Sequence, residues 1–277
     1  MMRMMLPRRA GRLALTIALP LLLAAGCEGP QPTPTITSTV RRPTPIAPTK
    51  PTVPAQQAVR REVVGRSVEN RPIEAIILGQ GSEVVLIIAS IHGNERAGTP
   101  LVRQLADHLQ QRPAYLRSRT VILMPVVNPD GLARNARYNA RGVDLNRNFA
   151  ARNRVNNAEN GHGALSEPES RALEAVIARY KPSRVIAVHQ PLSCIDYDGP
   201  AGGLAKQMGA VSGLPVKKLG ARPGSLGSYV SLTLGKPIVT VELPRGAETL
   251  DSQALWKRYG SMLVTAVTYS PGPIPAK

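Results

Sequence analysis

Four short apolar runs, at residues 84–90, 121–127, 184–188 and 237–241, set the frame of this chain. They are rich in Val and Ile and too short for ordinary helices. Runs of this kind read as strands buried on both faces. Between them lie stretches with helical spacing. Leu101, Leu105 and Leu109 mark 99–111, a helix is expected from Ser166 as N-cap to about Tyr180, and a closing helix spans 252–268. Shorter helices are expected around Lys206 and over 225–234, a turn at Asn128-Pro129-Asp130-Gly131, and a hairpin over 61–78 turning at 67–71. Strands alternating with helices predict an α/β fold, a mixed, largely parallel central sheet with helices on both faces.

In open α/β sheets, sites form beyond the carboxyl ends of the strands. The segment Ile91-His92-Gly93-Asn94-Glu95 follows the first run, His189 the third and Glu242 the fourth. Zinc in a hydrolase takes three protein ligands and keeps one position open for water. His92, Glu95 and His189 supply two nitrogens and a carboxylate for one such ion, and Glu242 is the natural general base beside it. Each residue has a bland reading too. A strand-end His can be structural, and Glu242 can simply pair with an Arg. Of the two other histidines, His108 is expected on a helix surface and His162 in a glycine-flanked loop.

The formal net charge is +17 and aromatics make up only 3% of the 277 residues. The arginines are scattered rather than interleaved with aromatics, so neither a base-stacking platform nor a nucleic-acid partner is expected. Hydrophobic residues at 43% suffice for one core built from aliphatic side chains. The charge then favours solubility and attraction to anionic envelope surfaces.

The amino terminus reads as an address. Arg3, Arg8, Arg9 and Arg12 precede an apolar stretch at 13–26 that is shorter than the ~20 residues of a spanning helix. It ends Leu23-Ala24-Ala25-Gly26-Cys27, which resembles a bacterial lipobox. Residues 1–26 are therefore expected to be a lipoprotein signal peptide, with Cys27 the lipidated residue that tethers the protein in a bacterial cell envelope. An ordinary signal peptide that happens to contain a Cys is the other reading. Residues 29–54 hold eight Pro and seven Thr and form no helix or ladder. Residues 27–57 are thus expected to be an extended spacer and 58–277 the globular domain. Cys194 is expected as a buried free thiol.

A second block, Gly142-Val143-Asp144-Leu145-Asn146-Arg147-Asn148-Phe149, packs an acid, amides and a guanidinium together. With His92-Gly93-Asn94-Glu95, Asn128-Pro129-Asp130-Gly131, Arg137-Tyr138-Asn139, a late His and a late Glu, residues 61–270 resemble the zinc metallocarboxypeptidases of the carboxypeptidase A type. Within that family the chain looks most similar to the murein peptide amidase branch, which cuts the γ-D-glutamyl–diaminopimelate bond of wall peptides. The likeness includes Ser166-Glu167-Pro168-Glu169, His189-Gln190-Pro191-Leu192, Asp198-Gly199-Pro200-Ala201, Pro223-Gly224-Ser225-Leu226-Gly227-Ser228 and Val241-Glu242-Leu243-Pro244.

The resemblance implies one Zn2+ per chain on His92, Glu95 and His189, with Glu242 as base. It makes Arg137 the oxyanion holder, Asn146 and Arg147 the grip on the substrate carboxylate, and Asp144 the acid that orients a zinc histidine. Asp198 is a candidate partner for the far ammonium of diaminopimelate, its loop being equally readable as solvated. The expected partner is a peptidoglycan-derived peptide, and a monomer is expected. The Tyr that covers substrate in digestive carboxypeptidases has no match, Tyr229 sitting in a different pattern, and the Arg137 segment lacks their Trp. The rival readings are a broad carboxypeptidase on protein tails, an inactive wall-peptide binder, and an acylase that shares the His-Gly-Asn-Glu segment.

Overall fold

Alternation within each apolar run decides which residues face which layer, and so where helices pack. In a computed structural model of the protein, Gly29 and residues 59–270 are described. The signal peptide, Cys27 and, apart from Gly29, the spacer lie outside the described residues. The chain opens with a hairpin of β1 (Arg60–Arg66) and β2 (Pro72–Leu78). Its turn is closed by Ser67 N–H donating to Arg71 O at 2.9 Å, with Asn70 at φ 64°, a left-handed conformation that Asn tolerates. Next come β3 (Glu83–Ala89), α1 (Gly98–Gln111), β4 (Arg119–Met124), α2 (Pro129–Arg134) and α3 (Pro168–Tyr180). They are followed by β5 (Arg184–His189), β6 (Leu192–Asp198), α4 (Gly202–Ser212) and the two-residue β7 (Val216–Lys217). A single turn α5 (Leu226–Ser228), β8 (Ile238–Pro244) and α6 (Ser252–Thr268) complete the fold.

The eight strands form one sheet in the order β1-β2-β4-β3-β5-β8-β6-β7. The middle four, β4-β3-β5-β8, are mutually parallel. The hairpin joins antiparallel through β2, and β6 joins β8 antiparallel. The expected mixed, largely parallel sheet is therefore present, with its antiparallel parts at the flanks.

Both faces of the parallel core are buried. Val85, Ile87, Val121 and Ile186 face α1, α4 and α6, meeting Leu101, Leu105, Met208, Tyr259 and Met262. Leu86, Ile88, Ile122 and Val185 face the other way, against Leu173, Val176 and Ile177 of α3 and Phe149 and Tyr229 beyond it. This two-sided burial is why the runs lack polar alternation. Truncating one of these leucines to Ala costs about 2–5 kcal/mol.

Several local expectations shift. The α3 N-cap is Glu167, not Ser166; the Ser166 hydroxyl donates to Glu167 Oε1 at 2.9 Å and accepts from Asn148 Nδ2 at 2.9 Å. The turn at 128–131 runs on into α2, because Asn128 Oδ1 accepts from Gly131 N at 2.8 Å and Pro129 sits at the first helical position. The helix expected over 225–234 is α5 followed by a π-helical turn, Tyr229–Thr233. His108 is half-buried rather than superficial, stacked on Tyr115 at 5.8 Å and beside Trp256 at 5.0 Å.

Candidate metal centre and substrate pocket

The carboxyl ends of β3 and β5 lie side by side in the parallel part of the sheet. After Ala89 the chain turns at Ser90 and delivers His92 and Glu95; β5 ends in His189 itself. Gly93 is needed for contact more than for its turn: a Cβ there would come within 2.0 Å of the Gly131 backbone. Glu95 stands between the two imidazoles. Its Oε1 lies 2.7 Å from His92 Nδ1 and its Oε2 2.7 Å from His189 Nδ1. One donor atom from each of the three residues falls within 4.8 Å of the others, and all three residues are buried. Two nitrogens and one carboxylate oxygen converging in this way fit zinc, whose hydrolytic sites use such a set.

The remote side of the centre is also built. His92 Nε2 is 3.0 Å from Asp144 Oδ1, the outer-shell carboxylate that a metal-bound His ordinarily engages. Asp144 Oδ2 accepts from Arg137 Nε at 3.2 Å and from a terminal guanidinium nitrogen at 2.9 Å. Another Arg137 nitrogen is 3.5 Å from Glu95. Burial opposes charge on His92, but its bonds to Asp144 and Glu95 outweigh it and raise the His92 pKa. Burial likewise opposes ionisation of Glu95 and Asp144. The histidines, and for Asp144 also Arg137 and Arg147, outweigh it and hold both carboxyls far below the usual range. Glu95 and Asp144 are thereby held in the ionised form that meets a cation.

The 142–149 block divides its side chains between site and scaffold. Asp144 caps the helical turn Leu145–Arg147, accepting from Asn146 N at 2.9 Å. Leu145 and Phe149 are fully buried below. Asn148 ties the following loop, donating to Asn160 O and accepting from Glu167 N. Asn146 and Arg147 face the pocket. Asn146 Oδ1 is held by Leu226 N at 2.9 Å, which leaves its amide NH2 outward. The half-buried Arg147 guanidinium donates to Asn146 O at 2.6 Å, and among the described residues no carboxylate lies within 4.0 Å of it. Burial lowers its pKa.

The pocket, of about 270 Å³, is lined by the metal-centre residues together with Arg137, Asn146, Arg147, Asp196, Asp198 and Glu242. Glu242 lies beside His189 in the β5–β8 register, and burial with the charge of Glu95 raises its pKa against the pull of His189. Leu192 N donates to its Oε2 at 3.4 Å. Asp196 and Asp198 are not on a solvated loop. They alternate on β6, each under 9% exposed, and point into the same cavity. All the site residues expected from the sequence and lying among the described residues are thus brought together. Tyr229 is not; it stacks on Phe149 and donates to Glu174 at 3.2 Å. Cys194 is buried and free, its thiol pKa raised by burial.

Sequence reasoning missed the brace behind this site. The Asn139 amide donates to Glu167 at 2.8 Å and Glu169 at 3.2 Å, while its Oδ1 accepts from Arg141 N and Val143 N at 3.0 Å each. It thereby ties the head of α3 to the loop that carries Asp144. Arg154 does the same for the loop beyond, donating to Arg147 O, Asn160 O, Gly161 O and Gly163 O. The Arg137-Tyr138-Asn139 motif held the signal for Asn139; nothing local marked Arg154.

The zinc carboxypeptidase family model matches residues 54–197, and the chain belongs to that family of hydrolases. It is 35% identical over 202 residues to murein peptide amidase A of Escherichia coli strain K12, covering 66% of this chain and 81% of that protein. Murein peptide amidase A of Vibrio campbellii is 33% identical over 177 residues, covering 57% and 68% respectively. The crystal structure of murein-tripeptide amidase MpaA from Escherichia coli O157 matches with a TM-score of 0.59 at 29% identity, covering 77% of this chain and 93% of that one.

Proposed function

We propose that this protein is a zinc-dependent amidase of peptidoglycan peptides, cutting the γ-D-glutamyl–diaminopimelate bond of a murein tripeptide. The observation that carries the substrate reading is the half-buried, carboxylate-free Arg147 guanidinium beside Asn146, over the pocket that holds the metal centre. A cation in that setting waits for an anion, and a terminal carboxylate fits its fork. The murein peptide amidase A relatives support the wall-peptide choice over protein tails.

His92, Glu95 and His189 would hold one zinc ion, which would polarise a carbonyl and lower the pKa of a water. Glu242 takes the proton of the attacking water and passes it to the leaving amine. Arg137, fixed by Asp144, holds the oxyanion that forms as the carbonyl is attacked. Asn146 and Arg147 grip the carboxylate of the departing residue, and Asp198 faces its ammonium.

A tripeptide ending in diaminopimelate is the test substrate. Amidating the carboxylate of the departing residue should cost about tenfold to a hundredfold in kcat/KM, the loss of a charge-assisted contact. Arg147→Ala should erase the difference between the two peptides. Equal cleavage by the unaltered enzyme, or preference for ordinary peptides with Leu or Phe tails, contradicts the murein reading and leaves the zinc peptidase standing.

We further propose that Cys27 is acylated and tethers the domain, through the Pro/Thr-rich spacer, to a bacterial envelope membrane. Cys27→Ser should release activity from the membrane fraction. An acylated Cys27→Ser protein that still pellets with membranes contradicts the assignment.

A further inference from the structure

Part of the pocket lining is made by residues 219–222, an irregular segment between β7 and α5. One carboxylate of β6 fixes its position: Asp196 Oδ1 accepts from Leu219 N at 2.8 Å. Asp198, two residues further along the strand, lines the same pocket. At the segment's far end the Arg222 carbonyl accepts from Ser225 N at 3.0 Å and from the Ser228 hydroxyl at 2.7 Å. Gly224, at φ 71°, then lies so close to the Arg147 carbonyl that a Cβ would approach within 2.3 Å. The segment is thus bound to the Asp198 strand on one side and to the Arg147 turn on the other.

This placement sets Arg222 at the cavity, near enough for its charge to bear on Arg147. Among the described residues no carboxylate lies within 4.0 Å of the Arg222 guanidinium. Asp198 is 8% exposed, and no Lys, Arg or His nitrogen lies within 4.0 Å of its carboxylate among the described residues. Its Oδ2 faces Gly227, where a Cβ would stand 3.1 Å away, so glycine leaves the space beside that oxygen open. One wall therefore carries a buried carboxylate and an exposed guanidinium, neither with an oppositely charged side chain within 4.0 Å among the described residues. Arg147 already accounts for one substrate carboxylate. A second unpaired guanidinium at the same pocket is not explained by a leaving residue with a single negative group.

We propose that Arg222 is a specificity residue that binds a second carboxylate, at the far end of the leaving residue, and that with Asp198 it recognises an amino-acid zwitterion there. The inference rests on the wall-peptide reading and narrows it. A leaving residue whose side chain ends in both ammonium and carboxylate is preferred to one ending in ammonium alone. Diaminopimelate has such an end and lysine does not. The recognition is bidentate in charge: the Asp198 carboxylate accepts from the ammonium, and the Arg222 guanidinium donates to the carboxylate.

The test uses three tripeptides of the form L-Ala-γ-D-Glu-X with the zinc-loaded enzyme. X is meso-diaminopimelate, the same residue amidated at its far carboxylate, or lysine. The expected kcat/KM favours the first over the other two by about tenfold, an exposed charge-assisted contact giving the lower part of the usual range. The difference should lie mainly in KM. In Arg222→Ala the three peptides should converge, and Arg222→Lys should restore part of the preference. Equal kcat/KM for all three with the unaltered enzyme overturns this inference alone. So does a preference that survives intact in Arg222→Ala. Failure of the unaltered enzyme to cut any of the three overturns the wall-peptide reading and this inference with it.

Discussion

The two sides of the pocket are built in different ways. The metal side stands on the ends of β3 and β5, inside the four parallel strands, and its members are locked to one another: His92 to Asp144, Asp144 to Arg137, Glu95 to both histidines. The substrate side stands on the antiparallel flank, where β6 carries Asp196 and Asp198 and an irregular segment returns over them. Its charges are tied to backbone amides or to nothing within reach, rather than to opposite charges. The difference teaches which groups are set for a cation and which are kept for a ligand. Bonds made within the molecule fix the metal-side residues in advance, whereas Arg147, Arg222 and Asp198 have no oppositely charged side chain within 4.0 Å among the described residues.

Substitutions on the two sides should therefore fail differently. The largest effect is expected at Glu242, between them. Glu242→Gln keeps the shape and removes the base, so turnover should fall by about 10² or more while zinc content persists. Near-normal turnover would move the base elsewhere. On the metal side, Asp144→Asn removes the charge that fixes His92 and Arg137 together. Zinc affinity or activity should drop by roughly 10–100-fold, measured by competition with a chelator; unchanged affinity and rate would break the claim that this side is pre-assembled. Behind it, Asn139→Ala strips buried Glu167 and Glu169 of a shared donor. A loss of about 1–3 kcal/mol in chemical denaturation is expected, and a loss near zero would show the brace to be idle.

The smallest effect is a pH dependence at the β1–β2 turn, which Asp130 holds. Asp130 is buried, which by itself raises its pKa. Hydrogen bonds from Ser67, the Glu69 backbone and Arg71 outweigh that and lower it. A carboxyl depressed in the folded state adds stability at pH values above its unfolded pKa, ~3.9. That contribution is lost as pH falls through the lower, folded value. Asp130→Asn should flatten this part of the Tm profile between pH 5 and 3, relative to the unaltered protein, and parallel profiles would remove Asp130 from the acid response.

The metal side was legible in the sequence because its logic is local. Apolar runs end and chemistry begins, at His92, Glu95, His189 and Glu242, and the eight-residue block beginning at Gly142 keeps its spacing. The substrate side was read less well. β6 has Asp, Tyr and Asp in its second half, so its polar pattern resembles a loop, and only pairing with β8 makes it a strand. Arg222 sits beside Pro223 and Gly224 with no periodicity to orient it, and its place at the cavity follows from hydrogen bonds 23 or more residues away in sequence, such as Leu219 to Asp196. The α3 cap falls one position later, at Glu167, and the Ser166 hydroxyl instead bonds Asn148, 18 residues earlier, and Glu167.

The central claim is that the strand-end cradle holds one catalytic zinc ion. Elemental analysis of the purified protein, paired with an amidase assay before and after chelation, tests it most directly. The account predicts about one zinc per chain, loss of hydrolysis when the metal is stripped, and its return on adding zinc; His189→Ala should abolish both the metal and the activity. Protein that holds no metal and cleaves its substrate undiminished after chelation would contradict it.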